Sequence, residues 1–296
     1  MVIATGFFDG VHLGHRFILR QLVEEARRRN DESMVVTFWP HPRNVLQDDA
    51  RNLRLLTSME EKKALIRSIG VDHIEVIPFT KEFCRLSAEE YLRDYIVGKF
   101  GGKAILVGYD NRIGSDQCTP EQTAEIARRL GLDVIRPERF VSDNGIVISS
   151  TKIRNLLQAG EIEEADSMLG YQYQLYGVVV SGNRLGHTIG FPTANMQLYE
   201  PLKLIPGNGV YLVKVETLGR VYDGMCNIGV RPTLGSGNAL TVETNIFDFN
   251  EDIYGLDIRI SFVSKIRNEV KFNDFSVLAS QLEKDRAHCR ILLREK

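Results

Sequence analysis

The hydrophobic pattern of this chain changes character about halfway along, and that change restricts its possible folds more than any other feature. Up to about residue 160, short apolar stretches typical of buried strands alternate with longer stretches whose apolar residues recur at helical spacing. Such alternation predicts a parallel, doubly wound α/β sheet. From residue 173 onward, short β-rich runs are separated by glycine and proline. Those runs predict an all-β part, a small barrel or a sandwich, and the pattern over residues 277–293 predicts one closing helix.

This division predicts two domains in a chain of 296 residues, which is longer than most single domains. We expect a first domain over residues 1–160, a helical connector over residues 161–172 and a second domain over residues 173–296. The composition, 43% hydrophobic and 26% charged, is that of a globular protein rather than of a disordered chain. The net charge is −2, about +1 up to residue 160 and −3 beyond it, so neither half is basic enough to suggest a nucleic-acid-binding or membrane-binding surface.

Targeting signals and cysteine usage both favour a cytoplasmic protein. No apolar run approaches the roughly 18 residues that a bilayer-spanning helix needs. The first residues do not have the basic-then-apolar pattern of a signal peptide. The four cysteines are far apart and form no CxxC pair, so reduced thiols are expected rather than disulfides or a zinc site.

The stretch GFFDGVHLGH, residues 6–15, joins a predicted buried strand to a predicted amphipathic helix. The spacing predicts that His12 and His15 lie on one face of the first helical turn. The free N–H groups and the positive dipole end of a helix start form a ready site for phosphate. Gly10 and Gly14 would let the backbone approach a ligand, and the histidines would donate hydrogen bonds to phosphoryl oxygens. A metal site is the weaker interpretation, because the pair has no third ligand nearby.

A second strand-to-helix junction, ISSTKIR at residues 148–154, has the chemistry to take part in the same site. Its hydroxyl side chains can cap the helix, and Lys152 and Arg154 add positive charge at the helix start. Taken alone, the stretch also fits a capped helix with solvated cations. Two such helix starts in one α/β domain favour a polyphosphate site.

In the second half, the segment GFPTAN at residues 190–195 and one acidic strand residue form a second candidate site. In an extended segment, Thr193 and Asn195 offer oxygen ligands on the same side, of the kind that Mg²⁺ prefers. The preceding loop, residues 182–187, could wrap phosphates. Glu243 lies in an alternating strand pattern, where a single carboxylate is a candidate general base. A structural turn and a surface strand charge remain open as interpretations of these residues.

Taken together, these motifs resemble those of the prokaryotic bifunctional riboflavin kinase/FMN adenylyltransferases, the FAD synthetases. The resemblance rests on GFFDGVHLGH, on PHP at residues 40–42, on ISSTKIR and on GFPTAN, and it extends over essentially the whole chain. It implies a nucleotidyltransferase-like first domain and a riboflavin-kinase-like barrel as the second domain. It also implies that the second domain uses ATP and Mg²⁺ to phosphorylate riboflavin to FMN. The first domain would then adenylylate FMN with a second ATP, giving FAD and pyrophosphate.

The resemblance further implies roles for individual residues. Glu243 would be the catalytic base of the kinase, Thr193 and Asn195 would hold Mg²⁺, and His12 and His15 would serve adenylyl transfer. The implied nucleotide-binding residues are Gly6, Phe8, Asp9, Gly10, Gly14, Ser150, Thr151, Arg154, Gly182, Gly186, His187 and Asn227. The implied flavin-binding residues are His41, Asp110, Arg267 and Phe272.

Three alternatives remain open at the level of sequence. The segment from Asp110 reads DNRIGSDQ where the family usually reads DFxFG, which would fit a riboflavin kinase with a weakened or inactive adenylyltransferase domain. A second alternative is an adenylyltransferase for another phosphate ester, with a β-domain that only binds. A third is a nucleic-acid-binding barrel on an α/β scaffold, which the near-neutral charge disfavours.

Overall fold

A computed structural model describes the chain except for residues 42–52, 110, 139, 142–144, 146, 183–189, 233–237, 271, 273 and 296. The chain divides into two compact units, Met1–Ser150 and Thr151–Lys296. The predicted connector, residues 161–172, falls within the second unit. The domain boundaries expected from the sequence stay a prediction.

The first unit contains a parallel sheet with helices between its strands. The strands are β1 Val2–Thr5, β2 Ser33–Trp39, β3 His73–Pro78, β4 Ala104–Leu106 and β5 Asp133–Ile135. The helices are α1 Leu13–Arg28, α2 Met59–Arg67, α3 Ala88–Tyr91, which continues as a π-helix over Leu92–Lys99, and α4 Pro120–Arg129. Short 3₁₀ turns occur at Asp9–Val11 and Phe83–Arg85. All neighbouring strands pair in parallel, in the order β3-β2-β1-β4-β5.

Apolar residues cover both faces of this sheet, and β1 shows how. Successive strand residues point to opposite faces, so Ile3 belongs to one buried cluster while Val2 and Ala4 belong to another. The cluster around Ile3 includes residues of α3 and α4, and the other includes residues of α1 and α2. Helices therefore pack on both faces, which confirms the predicted doubly wound α/β fold.

Helix starts follow the capping signals in the sequence. The Ser58 hydroxyl accepts a hydrogen bond from the Glu61 N–H, and the Glu61 carboxylate accepts one from the Ser58 N–H. Ser87 and Glu90 form the same reciprocal pair before α3. Each pair satisfies two backbone N–H donors that a helix start would otherwise leave open, so these capping boxes fix the starts of α2 and α3.

The strand order reverses at β1, because the chain first builds outward through β2 and β3 and later places β4 on the other side of β1. In doubly wound sheets, ligands bind beyond the carboxyl ends of the strands at such a switch point. The stretch at residues 6–15 leaves β1 at that end. The fold therefore places this stretch where a ligand site is expected.

The second unit is a closed antiparallel barrel accompanied by helices. The helices are α5 Ser150–Ala159, which begins at the boundary between the units, α6 Ile162–Leu169 and α7 Phe275–Glu295. The strands are β6 Gln174–Val180, β7 Ala194–Leu198, β8 Gly209–Thr217, β9 Arg220–Pro232, β10 Asn238–Ile246 and β11 Asp257–Arg267. They close in the order β10-β7-β6-β11-β8-β9, which decides between the predicted barrel and sandwich in favour of the barrel.

The barrel has buried residues on both sides of its wall. Tyr211 and Phe262 are fully buried and pack edge to face, with ring centroids 5.3 Å apart. Leu212 and Val263, which point to the opposite side of the wall, cluster with Cys289 of α7. The closing helix is therefore part of the core of this unit. None of the helices in the described part of the chain combines the length and apolar character that crossing a bilayer requires.

Candidate functional sites

The turn after β1 has an unusual backbone. Phe8, Gly10 and Val11 have positive φ angles of 52°, 78° and 38°. Glycine adopts such angles without cost, but a β-branched residue such as Val11 does so only when its surroundings hold it there. Val11 is fully buried, which supplies that constraint. The turn therefore carries local strain at the position where the fold predicts a ligand site.

His12 lies one residue outside the helix, so the prediction that both histidines occupy the first helical turn is wrong for His12. Its ψ of 171° is extended, and it acts as the N-cap of α1: its Nδ1 accepts a hydrogen bond from the His15 N–H at 3.3 Å. Because Nδ1 accepts, the proton of a neutral His12 sits on Nε2. The two imidazoles nevertheless face each other, with ring centroids 3.6 Å apart and planes 15° apart.

His15 is neutral in this environment. Burial lowers the pKa of His15 well below its usual value, and the nearby His12 and Lys62 lower it further. Its Nδ1 is buried without a hydrogen-bond partner among the described residues. A neutral imidazole supplies a hydrogen-bond donor rather than a fixed positive charge.

Glycines in this stretch make room for aromatic rings. A Cβ at Gly14 would lie 3.3 Å from two atoms of the His12 ring, and a Cβ at Gly6 would lie 2.9 Å from the Phe8 ring. The Phe8 ring in turn packs edge to face on His15, with centroids 5.4 Å apart. Gly14 thus permits the position of His12, a different role from the close ligand approach expected from the sequence.

Asp9 anchors the turn to the segment before α2. Its buried carboxylate accepts hydrogen bonds from the backbone N–H groups of Leu56 and Thr57 and from the Thr57 hydroxyl. The same hydroxyl accepts a hydrogen bond from the Gly10 N–H at 3.2 Å. Within the first unit, the Ser150 hydroxyl donates to the Asp9 carbonyl at 3.0 Å.

The remaining residues expected in the first site differ in what the structure describes. Thr151 and Arg154 lie in the first turns of α5. The His41 ring packs on Phe7, with centroids 3.8 Å apart. Asp110, Gly186 and His187 lie outside the described residues.

The altered segment after residue 110 is integrated into the switch point of the sheet. The Asn111 side-chain amide donates to the Thr5 carbonyl at the end of β1, at 3.0 Å. Ile113 is 8% exposed and belongs to the core cluster around Ile3. The Asp116 carboxylate accepts a hydrogen bond from the Ala88 N–H at the start of α3. These contacts anchor the segment to β1, to the core and to the start of α3.

The second site is assembled by strand pairing. Glu243 of β10 pairs directly with Asn195 of β7 on one side and with Asn227 of β9 on the other. Directly paired residues of antiparallel strands point to the same face of the sheet. The predicted base therefore lies between two predicted ligand-binding amides in one row across the barrel wall.

A cavity of about 360 Å³ adjoins this row. Its lining includes Thr193, Asn195 and Gly182, together with the segment at residues 249–254. A Cβ at Gly182 would lie 2.3 Å from the Asn195 side-chain nitrogen, so only glycine leaves that amide in its place. The segment DFNEDIYG was not recognised in the sequence, because an acidic loop between two strands carries no phosphate-binding or catalytic pattern of its own.

Glu269 lies next to this row at its Asn227 end. A Cβ at Gly229, which lies two residues beyond Asn227 on the same face, would come within 2.2 Å of the Glu269 carboxylate. The Asn208 side chain donates to that carboxylate at 3.1 Å. Glu269 therefore lies directly over the backbone of β9, beside the amide of Asn227.

The Arg267 side chain binds to the closing helix, α7. Its guanidinium donates to both oxygens of the Asp285 carboxylate, which is 3% exposed. The guanidinium carbon also lies 5.9 Å from the centroid of the Phe272 ring. The two predicted flavin-binding residues are thus neighbours, and the pair of Arg267 and Asp285 links β11 to α7.

Two family models match this chain in tandem. Residues 1–152 match the model of FAD synthetase, and residues 169–293 match that of riboflavin kinase. The chain is 38% identical, over 98% of its length and 91% of the relative, to a bifunctional riboflavin kinase/FMN adenylyltransferase of Listeria monocytogenes. It is 36% identical to the protein of the same name from Bacillus subtilis, over 96% of this chain and 90% of that one.

A solved structure shows the same architecture over the whole chain. A Streptococcus pneumoniae protein described as a macrolide-efflux protein superposes with a TM-score of 0.88 at 33% identity, covering 98% of this chain and 93% of that one. This likeness supports the fold of both units. The family models and the relatives name the same two enzymes, a riboflavin kinase and an FMN adenylyltransferase or FAD synthetase. The functional assignment rests on this agreement.

Proposed function

Because the chain belongs to the family of bifunctional riboflavin kinases/FMN adenylyltransferases, we propose that it converts riboflavin to FMN and FMN to FAD. The second unit transfers the terminal phosphoryl group of ATP to riboflavin. The first unit transfers AMP from a second ATP to FMN and releases pyrophosphate. The observation that carries this proposal is that both family regions occur in one chain, the first with the His12–His15 turn and the second with the row of Asn195, Glu243 and Asn227.

In the kinase step, Glu243 acts as the general base. It accepts the proton of the terminal hydroxyl of the ribityl chain, and the hydroxyl oxygen attacks the γ-phosphorus of ATP. The position of Glu243 between Asn195 and Asn227 supports this role, because amides on either side can orient a hydroxyl and a phosphate around the carboxylate.

Mg²⁺ is the metal that the kinase half implies, and the residues present fit it. Thr193 and Asn195 both line the cavity and offer a hydroxyl and an amide oxygen, hard ligands suited to Mg²⁺. The described residues contain no group of three histidine, cysteine or acidic side chains that could hold a metal by themselves. A site with few protein ligands fits a metal whose shell is shared with nucleotide phosphates. When bound, Mg²⁺ offsets negative charge on those phosphates.

In the adenylyl-transfer step, a phosphate oxygen of FMN attacks the α-phosphorus of ATP. The bond between the α-phosphorus and the bridging oxygen breaks, and pyrophosphate leaves with that oxygen. No covalent enzyme intermediate is needed. His12 and His15 donate hydrogen bonds to the phosphoryl oxygens, and Ser150, Thr151 and Arg154 assist at the second helix start. The stacked imidazoles at the switch point of the sheet, with the pKa of His15 lowered by burial, support this assignment.

For the first unit, an active adenylyltransferase is better supported than a weakened or inactive one. The segment from residue 111 to residue 116 contacts β1, the core and α3 through Asn111, Ile113 and Asp116. Its departure from the usual family pattern therefore comes with its own anchors, as expected of a segment that still shapes the site.

We place the protein in the cytoplasm. All four cysteines are described and all are free. Disulfides are rare in reducing compartments, so four free thiols support this location.

Product analysis tests the proposed function. The purified full chain is incubated with riboflavin, ATP and Mg²⁺, and flavins are separated over time. We expect FMN to appear first and FAD to follow at its expense. FMN that accumulates without FAD, even when FMN and excess ATP are supplied, would contradict the adenylyltransferase assignment. FAD formation from FMN without any phosphorylation of riboflavin would contradict the kinase assignment.

A further inference from the structure

Lys62 occupies a position in α2 where an apolar residue would be expected. It lies on the inward face of the helix, one turn before the fully buried Ile66, and is only 1% exposed. Its Nζ has no hydrogen-bond partner among the described residues. Burying an ammonium group without a partner is costly, so such a group calls for an explanation. Its neighbour Lys63, by contrast, is half-buried and has a partner, since its Nζ pairs with the Glu60 carboxylate at 3.0 Å.

The groups around Lys62 offset its charge only in part. Its Nζ lies 3.7 Å from the centroid of the Phe7 ring, a cation–π contact. The negative charge of Asp9 acts on it from nearby, but that carboxylate accepts its hydrogen bonds from Leu56 and Thr57, and none links it to Lys62. Burial lowers the pKa of Lys62 to about 8, which still leaves the ammonium mostly protonated at neutral pH.

Lys62 adjoins the histidine pair of the first unit. Its charge is close enough to His15 to lower the pKa of that imidazole. The Phe7 ring that Lys62 contacts belongs to the same turn, and His15 has its own buried and unpartnered Nδ1. Among the described residues, two buried polar groups near the switch point of the sheet therefore have no hydrogen-bond partner, and one of them is a cation.

We propose that Lys62 is a phosphate-binding residue of the adenylyltransferase site, whose ammonium group pairs with a phosphate oxygen of a bound substrate, ATP or FMN. The inference rests on the proposed function of the first unit and adds a residue to it. The neutral His15 offers only hydrogen bonds, whereas Lys62 supplies the positive charge that a pentacoordinate α-phosphorus and a departing pyrophosphate require. The Lys62 proton stays on the ammonium group throughout, while the FMN oxygen bonds to the α-phosphorus and pyrophosphate leaves.

The test compares Lys62→Met, Lys62→Arg and the matched control Lys63→Met in the full chain. FAD formation is measured from FMN and ATP, and pyrophosphate use is measured in the reverse reaction from FAD. Riboflavin phosphorylation serves as the internal reference. We expect Lys62→Met to lower kcat for FAD formation about 100-fold, as removal of one charge-stabilising donor does. Lys62→Arg should retain more activity than Lys62→Met, and Lys63→Met should behave as the wild type.

The relative activity of Lys62→Met and Lys62→Arg in FAD formation distinguishes a phosphate-binding role of Lys62 from a packing role. Methionine fits an apolar site and removes an unpartnered charge, so we expect Lys62→Met to fold with a melting temperature at or above that of the wild type. A purely structural lysine predicts the reverse: methionine would be tolerated better than the bulkier arginine. Equal FAD formation by Lys62→Met and the wild type, or failure of Lys62→Met to fold, would overturn the proposal.

The substrate dependence of the variants identifies the phosphate. A raised KM for pyrophosphate in Lys62→Met points to the phosphates of ATP, and a raised KM for FMN points to the phosphate of FMN. Either result supports the proposal, whereas unchanged kcat and KM for both substrates would overturn it. A wild-type chain that forms no FAD at all would instead contradict the proposed function of the first unit, so the two failures are distinguishable.

Discussion

The histidine turn of the first unit, residues 6–15, is made from neighbours in the sequence, whereas the row of Asn195, Glu243 and Asn227 in the second unit is made from residues far apart in it. Residues 6–15 supply the strained turn, the capping histidine and its stacked partner within a single stretch. Asn195, Asn227 and Glu243 come from three strands and meet only because β7, β10 and β9 pair in one particular register.

The geometry of the contiguous turn and that of the row depend on different features of the chain. A contiguous turn keeps its residues together in any case, but their exact geometry depends on local conformation, such as the positive φ of Val11 and the missing side chain of Gly14. The geometry of a row across a barrel wall is fixed by the hydrogen-bonded pairing of its strands. If one strand shifted its register by one residue, its side chains would point to the other face. We therefore expect the first site to respond to small local changes and the second to respond to loss of individual functional groups.

The largest expected effect is that of Glu243→Gln on the kinase. Glutamine keeps the size and a hydrogen-bonding oxygen but removes the general base, so FMN formation from riboflavin should fall about 1,000-fold. FAD formation from supplied FMN should not change. Glu216→Gln, which alters an exposed carboxylate of β8 paired with Arg259, is the matched control and should leave both activities intact. Equal loss of both steps in Glu243→Gln would remove the distinction between the two sites.

His12→Ala should have the next largest effect, and in the other unit. Loss of the imidazole should lower FAD formation about 100-fold while riboflavin phosphorylation continues. Alanine also removes the N-cap of α1, which costs about 1 kcal/mol of stability. His12→Asn separates the two effects, because asparagine caps a helix well. We expect His12→Asn to keep the thermal stability of the wild type and still lose adenylyl transfer.

Gly14→Ala tests how sensitive the contiguous site is to geometry. The new Cβ would lie 3.3 Å from two atoms of the His12 ring, closer than ordinary contact, so the ring must shift by a few tenths of an ångström. We expect FAD formation to fall about 10-fold, because small displacements of positioned groups are costly in catalysis. Thermal stability should hold or rise, since alanine favours a helix over glycine. Lower stability together with unchanged FAD formation would contradict this account of Gly14.

The smallest effect expected is on the pH dependence of stability in the first unit. The pKa of His15 is lowered in the folded state, so below the ordinary histidine pKa of about 6.5 the unfolded chain binds a proton that the native state does not. Stability should therefore decrease as the pH falls through that range, by at most about 1.4 kcal/mol per pH unit. Carboxylates such as Glu25, whose pKa is lowered to about 2, contribute only at more acidic pH.

Amide hydrogen exchange in β1 and α1, followed from pH 7.5 to pH 5 and corrected for intrinsic rates, measures this slope. His15→Gln should flatten it, and the barrel amides of the same chain serve as the reference. An unchanged slope in His15→Gln would mean that His15 is not the group responsible.

Elements whose signals are local were predictable from the sequence. The paired serine and glutamate residues at 58 and 61 mark a helix start, and the apolar stretch at the beginning of the chain marks a buried strand. The strand β7 gives only a weak signal in the sequence, because ANMQL follows a proline and carries little apolar pattern. The doubly wound sheet and the all-β second half follow from hydrophobic periodicity, which local sequence does encode.

What depends on tertiary contacts was not predictable. The sequence makes Glu243 a candidate base but contains no information about its pairing with Asn195 and Asn227, because register is set by the whole barrel. Lys62 stands in the run EEKK, which is typical of an exposed helix face, and only its burial distinguishes it from Lys63. The spacing of His12 and His15 suggested one helical face, whereas the cap geometry and ring stacking depend on the strained turn before them.

A mixing experiment tests most directly whether one chain holds two separate sites. His12→Asn and Glu243→Gln are purified separately, and each is incubated with riboflavin, ATP and Mg²⁺, alone and in equimolar mixture. We predict FMN alone from His12→Asn, almost no product from Glu243→Gln, and FAD from the mixture, because FMN made by one chain is used by the other. A mixture that forms no FAD, although each variant performs its remaining step when supplied with its own substrate, would contradict the account.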